Sequence, residues 1–380
     1  MEVKIPKKSL ADSLNHVERI IPNRTSNPNL SLLFIEIQKD NIILKGSNLE
    51  IDIEAKLAAD IDTSEKQTFA LPASVFSQIV RSLPGELVSL SFEENEMGIS
   101  SGNYGTKLQL VKDFEAANIV FPESYSASID GQVLSRLFSH VRYAAAVAEY
   151  QAIFRGLLLE LGQSSTRAVA TDGFRLAYYN SSEVININQE VADNLSNSDV
   201  EEKIEKIVIP AKTVDELIKL LSDEKVEFVI DNNQFSIKSD RFKMNSKLME
   251  GSFPDYQKII PLEFPLVISL NAAEFSSAIK RVAVMADQSA NNRIGILVKD
   301  GLLQITAEGN YGRAEEELEV NQDGKDEIVL AYNAKYLIDA LGPISGEVIL
   351  SFSSVDQPTA SVLKSAQDPN YLAMIVPLRI

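Results

Sequence analysis

Carboxylates are the most numerous side chains in this sequence that could do chemistry, but their arrangement does not predict a catalytic site. Of the 380 residues, 54 are Asp or Glu, two are His and none is Cys. The acidic clusters at 93–96 and 315–317 are typical of solvated faces or turns. The lack of Cys excludes a thiol nucleophile, a disulfide framework and a Cys-ligated metal, and His16 and His140 leave little for His-based catalysis or zinc. We therefore expect no catalytic residue, no metal site and no cofactor.

Short motifs for enzymatic chemistry are also missing. The sequence contains no G-x-x-x-x-G-K-[ST] loop, no G-x-G-x-x-G after a strand, no G-x-S-x-G elbow and no H-E-x-x-H. An enzyme can hide its site from motif analysis, so a nuclease or transferase remains an alternative. Such an enzyme would need metal-binding carboxylates clustered in one cleft.

Three segments stand out for their turn residues and apolar side chains. Residues 168–177 contain Asp172-Gly173, which is typical of a β-hairpin turn. Residues 247–261 contain one glycine and two prolines, which is typical of an interdomain linker. The tail at 374–380 is apolar up to its last residue, although chain ends are normally polar and loose unless something holds them.

The elements that must position these segments occur in a pattern that repeats three times. Each copy begins with a short strand and an amphipathic helix, whose apolar residues recur at i, i+3 or i+4, and i+7. The copies are Val3–Ile5 with Ser9–Ile21, Ser126–Ile129 with Gly131–Ala144, and Leu266–Leu270 with Ala272–Ala286. Asp130 is the predicted N-cap of the second helix, and Asn271 with Glu274 forms a predicted capping box at the third.

A second group of elements follows in each copy. It consists of an apolar strand, a helix and a further strand in which apolar and polar residues alternate. The strands and helices are Phe69–Pro72 with Ser74–Arg81, Ile207–Pro210 with Thr213–Leu220, and Ile328–Ala331 with Asn333–Ala340, and the further strands are Leu87–Phe92, Val226–Ile230 and Val348–Phe352. Asp172-Gly173, Asp300-Gly301 and Asp323-Gly324 are predicted hairpin turns. The pattern predicts three homologous α+β domains, each with two helices on one face of antiparallel sheet.

We place the domain boundaries at 1–124, 125–262 and 263–380. The extra length of the middle domain, at Glu183–Glu205, is polar and is predicted to be a surface excursion. Repeated domains present pseudo-equivalent surfaces, and head-to-tail contacts between such surfaces tend to close into rings.

The overall charge bears on possible partners. The formal net charge is −18 and the isoelectric point is about 4.7, which argues against simple, tight binding to nucleic acid through a basic surface. No apolar run approaches the roughly 18 residues of a membrane span, and the N-terminal residues show no signal-peptide pattern. We therefore expect a cytoplasmic protein.

At the three segments described above, the sequence closely resembles the bacterial DNA polymerase III β subunit family, the replication sliding clamps. Thr171–Leu176 is similar to that family's T-D-G-[HYF]-R-L, Glu250–Tyr256 to its [DE]-G-x-F-P-D-Y, and Val376–Ile380 to its closing M-P-M-R-L. The resemblance covers the whole chain, including the threefold repeat.

The resemblance implies a non-enzymatic processivity factor. Clamps of this family are head-to-tail homodimers, which form a six-domain ring with sheets outside and helices lining the hole. The ring encircles duplex DNA and slides along it, so an acidic exterior with a modestly basic bore is compatible with the net charge. The implied partners are a second copy, double-stranded DNA, the DNA polymerase III α subunit, an ATP-driven clamp loader, and other polymerases, repair and ligation proteins that carry clamp-binding peptides.

The resemblance also implies site residues for DNA. Basic residues on or beside the six helices are candidate bore residues: Arg24, Arg81, Arg142, Lys212, Arg281 and Arg293. They could alternatively be solvated cations at helix ends. Ala148 and Ala211 occupy places where some members carry a DNA-contacting glutamine and an arginine, so DNA contact here is expected to differ in detail.

A peptide pocket is implied for partners with a short motif containing Gln and Leu or Phe. Its residues by match are Phe154, Thr171, Gly173, Phe174, Arg175, Leu176, Pro254, Lys258, Ile259, Met374, Val376, Pro377, Leu378 and Arg379. Apolar side chains would form the floor, and Arg175 and Arg379 would supply donors at the rim. Phe174 replaces the His or Tyr of many relatives, and Lys258 replaces an Arg of some, which removes a planar fork of donors.

The implied dimer contact joins domain one of one protomer to domain three of the other. Leu108 and Leu110 on an edge strand, and Val284 and Met285 at a helix end, match the family's interface positions. They could alternatively belong to the core of their own domains. A generic acidic scaffold that binds peptides without encircling DNA is the remaining alternative, and it predicts a monomer or an open assembly.

Overall fold

The computed structural model describes residues 2–59, 61, 66–114, 119–147, 151–162, 165–182, 186–187, 205–324, 327–354 and 359–379. Most of the polar excursion expected at 183–205 lies outside the described residues, as does Ala148. The chain divides into two compact units. Unit 1 comprises 1–134, 186–199 and 215–248, and unit 2 comprises 135–185, 200–214 and 249–380.

Six α-helices lie in the described ranges, one at each place where the repeat predicts a helix. They are α1 Lys7–Glu18, α2 Ala73–Ser82, α3 Gly131–Val141, α4 Ala211–Leu220, α5 Ala272–Val282 and α6 Ala334–Leu341. The first helix ends three residues earlier than predicted in the second repeat and four residues earlier in the third, because the 3₁₀ turns Arg142–Ala144 and Ala283–Met285 follow it. Further 3₁₀ turns are Pro28–Ser31, Ala152–Arg155, Tyr256–Lys258 and Gln288–Ala290.

Side-chain caps begin three of the helices, and two of these were predicted. Asp130 accepts a hydrogen bond from the backbone N–H of Gln132 at 2.7 Å. Asn271 accepts from the backbone N–H groups of Ala273 and Glu274. Asn333 caps α6 in the same way through the N–H of Lys335. Each cap satisfies a donor that the first helical turn leaves without a partner.

The strands follow the repeat and are numbered in chain order. The first repeat holds β1 Glu2–Pro6, β2 Leu32–Gln38, β3 Asn41–Ser47, β4 Ile51–Ala58, β5 Gln67–Pro72, β6 Leu87–Phe92, β7 Glu96–Ser101 and β8 Tyr104–Gln109. The second holds β9 Ala127–Asp130, β10 Gly156–Leu161, β11 Thr166–Thr171, β12 Arg175–Ser181, β13 Asn186–Ile187, β14 Glu205–Pro210, β15 Lys225–Asp231, β16 Gln234–Lys238 and β17 Phe242–Lys247. The third holds β18 Leu266–Asn271, β19 Arg293–Lys299, β20 Leu302–Gly309, β21 Gly312–Glu319, β22 Asn321–Asp323, β23 Ile328–Asn333, β24 Glu347–Phe352, β25 Ser361–Ser365 and β26 Tyr371–Ile375.

Four antiparallel sheets contain these strands, two in each unit. Unit 1 has a four-stranded sheet in the order β1-β6-β7-β8 and a nine-stranded sheet in the order β13-β9-β15-β16-β17-β4-β3-β2-β5. Unit 2 has a nine-stranded sheet in the order β14-β10-β11-β12-β26-β25-β24-β18-β22 and a four-stranded sheet in the order β21-β20-β19-β23. This arrangement of helices and antiparallel sheets is the α+β class predicted from the repeat.

Each nine-stranded sheet contains one seam where strands of two different repeats pair. In unit 1, β4 pairs with β17, and Ile53 lies opposite Met244. In unit 2, β12 pairs with β26, and Ala177 lies opposite Ala373. Both seams are antiparallel, so neighbouring repeats share one continuous sheet.

The hairpin signals were right in two cases and wrong in one. Asp172-Gly173 connects β11 to β12, and Asp300-Gly301 connects β19 to β20, with positive φ values of 51° and 80° at the latter pair. Asp323-Gly324 does not close a hairpin, because β22 joins the nine-stranded sheet beside β18 while β23 joins the four-stranded sheet beside β19. The turn residues mark a change of sheet at this point.

The two faces of the unit 1 sheet differ in chemistry. Helix α1 buries Leu10, Leu14 and Val17 and packs against β3 and β4. A row of ion pairs crosses strands β2, β3, β4 and β17, in which Lys45 lies 3.0 Å from Glu36 and 3.4 Å from Glu54, and Lys243 lies 3.4 Å from Glu54. The row therefore crosses the seam between β4 and β17. None of the described helices is both long and apolar enough to cross a bilayer.

Candidate functional site

Residues 171–176 form a tight turn whose polar side chains are used internally. The hydroxyl of Thr171 donates to the carbonyl oxygen of Arg175 at 2.6 Å and accepts from the N–H of Gly173 at 3.1 Å. Asp172 accepts from the N–H groups of Phe174 and Arg175, both at 3.0 Å. Gly173 has a φ of 89°, which favours glycine. These bonds fix the turn and leave the Phe174 side chain 63% exposed.

Arg175 differs from its predicted role as a donor at the rim of the pocket. Its side chain is only 8% exposed, and its guanidinium donates to Asp172 at 3.0 Å and to Asp339 of α6 at 2.6 Å. The guanidinium also lies 4.3 Å from the ring centroid of Tyr336 and 5.5 Å from that of Tyr143. Because two carboxylates already neutralise it, Arg175 ties the turn to α6.

Two tyrosines extend this network into the interior of unit 2. The hydroxyls of Tyr143 and Tyr371 lie 2.7 Å apart, and Tyr371 donates to the carbonyl of Ala340 at 2.7 Å. Burial raises the pKa of Tyr143 far above its ordinary value, and burial likewise raises the pKa of Tyr336. The phenols of Tyr143 and Tyr336 therefore stay protonated at neutral pH. The charges of this network lie on Arg175, Asp172 and Asp339.

The C-terminal tail is held by main-chain hydrogen bonds on both sides. The N–H of Val376 donates to the carbonyl of Phe174 at 2.9 Å, and the N–H of Leu378 donates to the carbonyl of Ala331 at 2.7 Å. Leu378 and Ala331 also form an antiparallel bridge. The structure therefore accounts for the apolar tail, which links β12 of one sheet to β23 of the other within unit 2. Arg379 is exposed and has no hydrogen bond or ion pair with another described residue.

An apolar cluster underlies this region of unit 2. Leu176 and Met374 lie opposite each other in the β12–β26 ladder and are both buried. The cluster also contains Leu158, Val169, Val208, Tyr256, Ala360 and Val362, with Ile153, Tyr178, Met249, Phe253, Ile260, Phe264 and Leu372 packed against it. Phe154 contacts Phe253 edge to face at 6.4 Å between ring centroids. Leu176 and Met374, two of the residues predicted for the pocket, thus lie in one packed apolar cluster.

The predicted linker residues lie on an exposed segment. Pro254 and Lys258 are exposed, and Ile259 is 51% exposed. The ammonium of Lys258 lies 2.8 Å from Asp255, and this hydrogen bond raises the pKa of Lys258. Pro377 and Leu378 are half-buried, and Val376 is 36% exposed. The segment and the tail therefore present apolar surface to solvent.

The predicted DNA-contacting residues fall into two groups. Arg24, Lys212 and Arg293 are exposed and have no ion pair with another described residue. Arg81 is bonded to Glu18 of α1 at 2.6 Å, and Arg281 is bonded to Glu316 of β21 with its Nε at 2.9 Å. Arg142 is half-buried and already has an interaction within the protein. Ala211 is the first residue of α4 and is buried.

The four predicted dimer residues lie beside the end strands of the four-stranded sheets. Leu108 is half-buried on β8, opposite Met97 of β7, and Leu110 follows the strand and is also half-buried. Val284 is 75% exposed, whereas Met285 beside it is half-buried. The close approach of Gly309, at the end of β20, to Met285 places this pair next to the β20–β21 hairpin.

Sequence analysis missed the residues that hold the site together. Asp339 and Tyr336 lie on α6 with i, i+3 spacing, which puts them on one face of the helix, but nothing in the sequence indicates Arg175 as their partner. Glu160 on β10 accepts a hydrogen bond from Tyr256 at 2.9 Å and was also missed. Within the described ranges, no group of three or more His, Asp or Glu residues is arranged to hold a metal ion.

Comparisons with known proteins cover the whole chain. Family models of the DNA polymerase III beta subunit match its N-terminal domain at residues 1–118, its central domain at 128–255 and its C-terminal domain at 257–379. The beta sliding clamp of Caulobacter vibrioides is 27% identical over 392 residues, covering 100% of both chains. That of Staphylococcus aureus is 27% identical over 391 residues, covering 100% of this chain and 99% of its own.

Solved structures agree with the sequence matches. A DnaN sliding clamp from Pseudomonas aeruginosa bound to griselimycin has a TM-score of 0.87 and 25% identity, with 100% of both chains covered. A DNA polymerase sliding clamp from Bacillus subtilis has a TM-score of 0.86 and 25% identity, with 100% of this chain and 99% of its own covered. The chain therefore belongs to the DNA polymerase III beta subunit family and is a sliding clamp of DNA replication, a processivity factor rather than an enzyme.

Proposed function

We propose that this clamp consists of three domains, 1–124, 125–262 and 263–380, and closes around duplex DNA as a head-to-tail homodimer. The three family-model matches support these boundaries to within several residues. The observation that supports the dimer is the strand pairing between repeats. This pairing occurs at two seams inside the chain and leaves two end strands, β8 and β21, each paired on one side only among the described strands.

Strand position within the repeat supports this assembly. The strands β4, β12 and β21 occupy one position of the repeat, and β8, β17 and β26 occupy another. Inside the chain, β4 pairs with β17 and β12 pairs with β26. The remaining members, β21 and β8, are each the end strand of a four-stranded sheet. A second copy related head to tail would pair β21 of one protomer with β8 of the other and cover both edges.

The residue register across the interface follows from the same repeat. The ladders that start at the fourth residue before each first helix, Val3, Ala127 and Ile268, end at Thr106, Met244 and Ala373. The ladders that start at the second residue before each second helix, Leu71, Ile209 and Tyr332, end at Ile53, Ala177 and Ala314. At both internal seams these positions face each other. The repeat therefore supports Thr106 of one protomer facing Ala314 of its partner.

Surface chemistry at these edges is compatible with the pairing. The interface proposed here includes Leu108, Leu110, Val284 and Met285, of which Val284 is the most exposed. In the register above, Lys107 of β8 lies opposite Arg313 of β21 and diagonal to Glu315, with which Arg313 pairs. The diagonal carboxylate offsets the repulsion between the two cations.

An engineered disulfide tests the register directly, because the natural chain contains no cysteine. Facing residues on antiparallel strands have Cα atoms about 4.5–5.5 Å apart, which suits a disulfide. The double variant T106C/A314C should form a covalent dimer under mild oxidation, seen on a non-reducing gel. The control T106C/L318C moves one cysteine four residues along β21, roughly 13 Å away, and should stay monomeric on that gel. Equal cross-linking of both variants, or of neither, would contradict the proposed register.

We also propose that the apolar surface of unit 2 binds partner peptides. The pocket would comprise Phe154, Thr171, Gly173, Phe174, Leu176, Pro254, Lys258, Ile259, Met374, Val376, Pro377, Leu378 and Arg379, with Arg175 supporting the floor from below. Exposed apolar side chains at Phe174, Ile259 and Val376 support this assignment. The proposed partners are the DNA polymerase III α subunit, the clamp loader, and other polymerases, repair and ligation proteins, all in the cytoplasm.

For DNA, we propose that Arg24, Lys212 and Arg293 face the duplex with their charges available. Arg81, Arg142 and Arg281 would contribute less, because each already has an interaction within the protein. Few direct phosphate contacts suit a clamp that slides, since each neutralised phosphate adds salt-dependent affinity that resists movement.

A further inference from the structure

The segment at 251–260, here called the strap, carries three of the proposed pocket residues and is anchored by a few apolar side chains. Among its ten residues, Tyr256 is the only one that is buried, with 3% of its surface exposed. Phe253 and Ile260 are half-buried and pack against the same apolar cluster, and the other seven residues are exposed. Pro254 precedes Tyr256 by two residues, and Lys258 and Ile259 follow it within three. Tyr256 is therefore the deepest anchor of these pocket residues.

Tyr256 is held by a buried carboxylate. Its hydroxyl donates to Glu160 of β10 at 2.9 Å, and Glu160 is 1% exposed. Lys206 of β14 lies 2.8 Å from the other carboxylate oxygen of Glu160. Arg167 of β11 lies 3.8 Å from the oxygen that Tyr256 contacts. The Tyr256 ring packs against Tyr178, with centroids 5.9 Å apart. A hydrogen bond to an ionised, buried acceptor is among the stronger single bonds in a protein.

The equivalent position of the other nine-stranded sheet lacks this arrangement. The ladders place Glu36 of β2 where the second repeat has Glu160, and Glu36 is also buried. The charged partners of Glu36 are Lys45 and Lys66, and its one neutral hydrogen bond comes from Gln38. The buried glutamate thus occurs in the first and second repeats. The hydrogen bond from a tyrosine is found in the second, where Tyr256 of the strap reaches Glu160.

We propose that Glu160 and Tyr256 are positioning residues that latch the strap, so that Pro254 and Ile259 form one wall of the peptide pocket. This inference rests on the proposed peptide-binding function. The latch acts before any partner arrives, because a wall fixed in advance costs less conformational entropy when the peptide binds. Neither residue needs to touch the peptide itself.

The test compares conservative variants of the full-length protein. Tyr256→Phe keeps the buried ring and removes only the hydroxyl, and it should weaken binding of a fluorescein-labelled synthetic peptide containing Gln, Leu and Phe by about tenfold. Glu160→Gln keeps an acceptor oxygen for Tyr256 but removes its charge, and it should weaken binding by less than Tyr256→Phe does. The matched control is Tyr179→Phe, which removes the hydroxyl of a buried tyrosine on the opposite face of the same sheet and should bind like the natural protein.

Hydrogen exchange supplies a readout that does not depend on the peptide. In Tyr256→Phe, the amides of 251–260 should exchange faster while the rest of unit 2 is unchanged. Unchanged exchange in the strap, or faster exchange with undiminished peptide affinity, would overturn the latch. If the natural protein does not bind the peptide, the proposed pocket is wrong, and the exchange measurement still decides whether the latch exists.

Discussion

At the scale of single residues, the surroundings of Arg175 differ most from what its sequence motif indicates. The motif predicts a donor at a binding surface, yet two carboxylates and two aromatic rings surround the guanidinium. A cation in such surroundings stabilises the fold that carries the pocket, and it cannot easily be released to a ligand. The neighbouring Phe174 and the tail then provide the exposed apolar contacts.

Replacing Arg175 should therefore destabilise the protein strongly. Arg175→Ala leaves Asp172 and Asp339 without their cation, and we expect a loss of about 3–5 kcal/mol in the free energy of unfolding. Lys299→Ala is the control, because it breaks the exposed ion pair with Glu327 and should cost at most about 1 kcal/mol. Urea unfolding of both variants measures the difference. Equal losses would show that Arg175 is not an internal structural cation.

His140 gives the protein a pH dependence of known sign. Burial lowers its pKa below the ordinary value of 6.5, and its ring packs 4.4 Å from that of Tyr179. The unfolded chain then binds a proton more readily than the folded chain, so this contribution to stability is complete above pH 6.5 and is lost as the pH falls towards the lower folded pKa. His140→Phe keeps the ring packing but cannot titrate.

Urea unfolding at pH 7.5 and at pH 5.5 tests this sign. The natural protein should lose more stability over that interval than His140→Phe does. The half-buried His16, whose pKa burial also lowers, contributes equally to both proteins and cancels in the comparison. An identical pH dependence of the two proteins would contradict the assignment.

At the scale of elements, much of the architecture was predictable because it depends on local spacing. The 3.6-residue periodicity located all six helices, and Asp130 and Asn271 marked two of their starts. Asp323-Gly324 misled, because a turn sequence specifies a change of direction and does not specify which sheet the next strand joins. Pairings such as β4 with β17 and β12 with β26 join residues far apart in sequence, and no local pattern encodes them.

The same reason limits prediction of the site. Resemblance to a family located Thr171–Leu176, the strap and the tail, but the contacts that hold them lie on other elements. Asp339 is 164 residues from Arg175, and Glu160 is 96 residues from Tyr256. Each of these residues looks like an ordinary polar residue of a helix or strand until the fold brings it to its partner.

The charged row across the unit 1 sheet predicts a measurable contribution at its centre. Glu54 is bound by Lys45 and Lys243 and is largely buried. Glu54→Gln should lower the free energy of unfolding by about 1–3 kcal/mol, because Lys243 loses its counter-ion and Lys45 keeps only Glu36. Glu227→Gln, which breaks the more exposed ion pair between Glu227 of β15 and Lys238 of β16 in the same sheet, should cost at most about 1 kcal/mol. Similar costs at the two positions, in urea unfolding, would show that the row does not stabilise the seam.

At the scale of the whole molecule, the net charge of −18 is consistent with topological binding of DNA. A protein with this charge gains little from phosphate contacts, and a closed ring needs few of them. We propose that closure of the homodimer around the duplex, rather than electrostatic affinity, holds the protein on DNA.

Retention on circular DNA tests this claim most directly. The protein is placed on nicked plasmid with a clamp loader and filtered through a gel in high salt, and the plasmid is then linearised and filtered again. We predict that the protein remains on the circles and is lost from the linear DNA. Equal loss from both forms would contradict topological binding, and equal retention on both in high salt would show that direct contacts hold the protein in place.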